Sequence, residues 1–142
     1  MMLYAGTPVP VPLRATPALR VEPVETARQV VCQWFASESI CFIGAHTGCS
    51  CGFPSVAGDA PVRWFDGLSL DSPTRADDLA SVRALLALLA ELTAGGSPVE
   101  LLPVWDGREA LAPLGVVEWT LEELDADRFF FTEQFLHRVR AR

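Results

Sequence analysis

The segment Thr74–Gly96, TRADDLASVRALLALLAELTAGG, decides the fold class. Leu79, Val82, Leu85, Leu86, Leu89 and Leu92 recur at spacings of three and four, which places them on one face of a helix over about 75–94. Asp78, Ser81 and Glu91 lie largely outside that stripe. Thr74 is positioned as N-cap with Asp77 as the capping-box acid, and Gly95-Gly96 supplies the stop. A helix with one apolar face needs a second layer to cover it, and the flanking segments are rich in strand signals.

Leu3–Thr7 reads as an opening strand, Leu19–Glu22 as a short extended piece, and Ser39–Ala45, with Ile40-Cys41-Phe42-Ile43, as a strand. Cys49–Phe53 is expected to return after a His46-Thr47-Gly48 turn as the second arm of a hairpin. Val99–Trp105 reads as a buried strand closed by Asp106-Gly107. A closing strand is expected over Phe129, Phe131, Phe135 and Val139. Val24–Phe35 has helical spacing, and Thr120 with Glu123 forms a capping box for a short helix through Asp127. Asp59–Ser72 reads as a long loop with a short strand at Val62–Phe65. Strands, one long helix, then strands again lack the alternation of a doubly wound fold. The expectation is therefore α+β: a mainly antiparallel sheet packed by one long amphipathic helix plus one or two short helices. Residues 1–142 fit a single globular domain.

Composition excludes several chemistries. Eighteen acidic against 11 basic side chains give a net charge of −7, which disfavours binding to nucleic acid or to anionic membranes. All basic residues are arginine, so Schiff-base, P-loop and Ser-Lys mechanisms are ruled out; without asparagine there is no Cys-His-Asn triad. The longest apolar stretch, Leu85–Ala90, is far short of the roughly 20 residues that span a bilayer. Prolines at 8, 10 and 12 interrupt the start of the chain, so no export signal is read there, and a cytoplasmic location is expected. The four cysteines, 32, 41, 49 and 51, are then thiols, metal ligands or core residues rather than a disulfide framework. Missing Lys and Asn with abundant Ala, Arg, Gly and Pro suggests a GC-rich, bacterial coding sequence.

Chemical character concentrates in His46-Thr47-Gly48-Cys49-Ser50-Cys51-Gly52-Phe53. His46, Cys49 and Cys51 supply three donors for zinc, with Cys41 on the paired strand as fourth, although a single Cys-x-Cys is not a familiar zinc spacing. The same residues suit a reactive thiol with His46 as base, against which stands the strain of a disulfide between residues two apart. A Cys-His enzyme would need an orienting group, for which Asp59, Asp66 and Asp106 are candidates. A cofactor-free interaction or accessory domain is the alternative reading. Cys32 and Cys41 read as buried apolar residues, and Trp34, Trp64, Trp105 and Trp119 as core anchors. His137, among Arg138, Arg140 and Arg142, reads as part of a solvated strand edge; that edge over 129–139 offers pairing between copies in a homo-oligomer.

The opening Leu3-Tyr4-Ala5-Gly6-Thr7-Pro8, the stretch Ile43–Phe53 and VELLPVWDG at Val99–Gly107 together resemble small bacterial proteins of uncharacterised function that share a His-x-x-Cys-x-Cys-Gly-Phe segment. The resemblance covers most of the chain. It implies a cytosolic bacterial protein and carries over no catalytic residue.

Overall fold

The computed structural model describes residues 1–61 and 73–142. Among them the strands are β1 (Met2–Thr7), β2 (Arg14–Ala15), β3 (Arg20–Pro23), β4 (Ser39–Gly44), β5 (Ser55–Val56), β6 (Val99–Val104), β7 (Val116–Thr120), β8 (Phe131–Thr132) and β9 (Leu136–Arg140). The helix α1 spans Arg75–Thr93. Seven strands form one sheet in the order β2-β3-β4-β1-β6-β9-β7, antiparallel except for the β7–β9 pair, while β5 and β8 pair in parallel. The expected α+β architecture holds.

Both faces of the sheet are covered, and period-two alternation sorts its side chains. Leu3, Ala5, Ile43, Leu101 and Val139 face α1, where Val82, Leu85, Leu88 and Leu89 cover them. Tyr4, Phe42, Leu102 and Val104 face the opposite way, onto Val31. Double coverage makes every residue of β6 buried, which is why VELLPV reads as a continuous run. Its one charge, Glu100, accepts from Arg138 at 3.1 Å and from the Ala36 amide at 2.8 Å. No helix among the described residues is long and apolar enough to cross a membrane.

Several local expectations give way for identifiable reasons. Thr26–Trp34 is a 3-10 helix. With three residues per turn, Arg28, Val31 and Trp34 stack in one stripe toward the sheet, leaving Val30 exposed. Cys49–Phe53 is not a hairpin arm, because β4 already lies between β3 and β1 and has no edge to offer. The chain instead makes a 3-10 turn at Ser50–Gly52.

The expected closing strand is broken between β8 and β9 at Gln134, whose φ is 63°. Pro103 on β6 has no N–H to donate to a continuing ladder, and the Gln134 amide donates to the Pro103 carbonyl at 2.7 Å. β9 is also not an edge: β6 flanks it on one side and β7 on the other, which removes the pairing surface expected there. The Thr120–Glu123 capping box forms as expected, over a 3-10 turn at Leu121–Glu123. On α1, Ser81 is fully buried and not on the outer face, and Thr74 donates to Asp78 at 3.1 Å. The expected strand at Val62–Phe65 and Trp64 lie outside the described residues.

Candidate functional site

The turn that follows β4 is tied to the sheet by one small side chain. Ser50, fully buried, donates through Oγ to the Ile43 carbonyl at 2.7 Å and accepts the Leu3 amide at 2.8 Å. It thereby joins β4 and β1 and presents its neighbours, Cys49 and Cys51, at the surface. Gly48 at φ 80° closes the preceding turn, its amide donating to the Ala45 carbonyl at 2.9 Å.

Cys49 N-caps the Ser50–Gly52 turn. The Cys51 amide donates to its Sγ at 3.2 Å, and the Thr47 hydroxyl lies 3.3 Å from the same sulfur. Burial alone would raise the Cys49 pKa, but the Cys51 thiol, the Thr47 hydroxyl and the Cys51 amide together hold it below the ordinary thiol value. The neighbouring Cys49 thiol, with some burial, raises Cys51. Burial also raises Cys32 and pushes Cys41 up to about 11. The two thiols that share the turn are thus shifted apart.

Cys49 opens on a cavity of about 180 Å³ lined by Met2, Tyr4, Glu22, Arg28 and Phe42. The charged groups in its wall are paired with one another or with neighbours. Arg28 donates to Glu109 at 2.5 Å and to Asp106 at 2.6 Å, and the Tyr4 hydroxyl donates to Glu109 at 3.2 Å. The hydrogen bonds to Asp106 and Glu109 raise the Arg28 pKa, while burial, then Glu109, raises that of Tyr4. Glu22 pairs with Arg20, and Glu25 with Arg28 at 3.2 Å.

The other expected donors are dispersed. His46 is tied to α1: its Nε2 lies 2.7 Å from Asp78 Oδ1, and its amide donates to Ser81 Oγ at 3.0 Å. Asp78, not a thiol, is the hydrogen-bond partner of its Nε2. Cys41 packs in the core on the α1 side of the sheet, whereas Cys49 opens on the Tyr4 and Phe42 side. Among the described residues no three His, Cys, Asp or Glu side chains are grouped to hold a metal ion. Of the candidate orienting carboxylates, Asp106 is held below the usual range by Arg28, Asp59 is exposed elsewhere, and Asp66 lies outside the described residues.

His137 corrects the reading of a solvated edge. It is 1% exposed; its Nδ1 accepts from Trp119 Nε1 at 3.1 Å and its Nε2 lies 2.9 Å from the Thr132 carbonyl. Trp105 is likewise no core anchor, being 51% exposed, while Trp119 is buried. Ser50, Ser81 and Asp78, which hold the site together, carry no sequence signal of that role. Comparison with known protein families, with curated proteins and with solved structures finds no match to this chain.

Proposed function

We propose that the chain carries a reactive-thiol site in which Cys49 is the nucleophile and Cys51 its paired thiol, acting on a small, soft electrophile or disulfide admitted by the adjoining cavity. The carrying observation is the local geometry of Cys49: a sulfur that accepts an amide N–H at 3.2 Å, sits beside a hydroxyl at 3.3 Å and lines that cavity. Donors of this kind favour thiolate over thiol, and thiolate is the attacking species. Ser50 supports the reading because it fixes the turn in the sheet. A free thiol pair suits a reducing, cytoplasmic compartment.

The test is alkylation by iodoacetamide between pH 5 and 9, with each cysteine followed by peptide mass mapping. Cys49 is expected to react several-fold faster than Cys51 or Cys32 at pH 7, with a titration midpoint below the ordinary thiol value of about 8.5. Equal rates at Cys49 and Cys51 across the range would overturn the reading.

A further inference from the structure

Sulfur donors gather at this site while the oxygen donors around it are already engaged. Cys49 caps the Ser50–Gly52 turn and Cys51 lies within it, the Cys51 amide donating to Cys49 Sγ at 3.2 Å. Ser50, between them, is anchored to β1 through the Leu3 amide at 2.8 Å, so the pair is held against that strand's start. There the thioether-bearing Met2 lines the same cavity as Cys49. The nearby carboxylates, Glu22 and Glu25, are paired with Arg20 and Arg28.

Zinc in a closed structural site takes four ligands. With His46 on Asp78 and Cys41 in the core, this turn offers two thiols. Soft sulfur ligands select soft ions, and a monovalent d10 cation is satisfied by two thiolates. Such an ion bridges the two sulfurs without the S–S bond whose closure over so short a span is strained.

We infer that Cys49 and Cys51 form a two-thiolate binding site for a soft, thiophilic monovalent cation of the Cu(I) type. This rests on the reading of the turn as an accessible thiol site. Binding exchanges the two thiol protons for one cation, leaving a single negative charge on the bis-thiolate unit.

The experiment titrates Cu(I) into the fully reduced full-length chain under nitrogen against bicinchoninate, a chromophoric Cu(I) chelator, with Zn(II) against a zinc dye in parallel. The expected result is one Cu(I) per chain, bound at least 100-fold more weakly by Cys49→Ser and by Cys51→Ser, unchanged in Cys32→Ser, and no competing zinc affinity. Far-UV circular dichroism checks that each variant is folded; both cysteines lie at the surface turn, and Cys49→Ala with Cys51→Ala serves as a second pair. Binding by the unaltered chain that is no tighter than in these variants overturns the inference. Alkylation rates from the same preparation separate the two ideas: fast Cys49 alkylation without Cu(I) binding sinks this inference alone, whereas slow Cys49 alkylation sinks the thiol reading beneath it.

Discussion

Acidification from pH 7 to pH 5 should destabilise this protein through one buried imidazole. Burial lowers the His137 pKa from 6.5 to about 4, only partly opposed by its hydrogen bond to the Thr132 carbonyl. The native state therefore keeps His137 neutral across an interval in which the unfolded chain takes up a proton. More protons bound by the unfolded state means stability falls as pH falls. Above about pH 6.5 the two states agree and the effect vanishes; between 6.5 and 4 it grows. At about 1.4 kcal/mol per pKa unit, it amounts to about 2 kcal/mol by pH 5 and about 3 kcal/mol near pH 4. That is a sizeable share of the 5–15 kcal/mol typical of a domain. The assay is urea unfolding followed by tryptophan fluorescence at half-unit steps from pH 7.5 to 5, a window in which ordinary carboxylates barely titrate. A His137→Gln variant, which keeps a donor and an acceptor but no titration, should lose most of the slope. The same slope in both proteins, or a directly measured imidazole midpoint for His137 near 6.5, would refute the reasoning.

Ser50→Ala should lower stability by about 2–4 kcal/mol, because the Leu3 amide and the Ile43 carbonyl each lose a buried partner, and the loss is read as a drop in the denaturant midpoint. Gly52→Ala introduces a Cβ 2.8 Å from Ala45 Cβ and 2.9 Å from His46 Nε2, so it should cost about 1–3 kcal/mol and displace His46 from Asp78, visible as a shifted His46 ring signal in NMR. Glu109→Ala removes the buried carboxylate that holds both Arg28 and Tyr4 and should cost about 2–4 kcal/mol; recovery in Glu109→Gln to wild-type stability would show that its charge is irrelevant.

What the sequence made legible tracks how local each determinant is. Over Arg75–Thr93 the apolar spacing and flanking glycines lie within the segment itself, so α1 reads directly, as do β1, β4 and β6 with their dense apolar runs. The expected hairpin fails because the edges of β4 are claimed by β3 and by β1, a fact of sheet order that no residue near Cys49 announces. β7 has only a short signal, Val117 and Trp119 alternating with Val116 and Glu118 as in a half-buried strand. His137 reads as solvated because arginines follow it; its burial comes from β6 and β7 closing on both sides of β9. At the site, the turn through Gly48 reads from its own residues, whereas the pairing of His46 with Asp78 depends on how α1 docks over the turn.

The central place of β1 sets the order in which this sheet can be completed. Leu3 stands opposite Ile43 on one side and Pro103 on the other. Closing loops of such different lengths differs little in equilibrium cost, about 0.6 kcal/mol per doubling, but it weighs on the rate, since non-local pairing slows folding. During synthesis β1 can zip to β4 early, while its second edge must wait for residues 99–104. Until then an apolar strand edge stands open in the middle of the future sheet, the surface on which two unfinished chains would pair. Slow refolding that loses yield as protein concentration rises is the kinetic signature this topology carries.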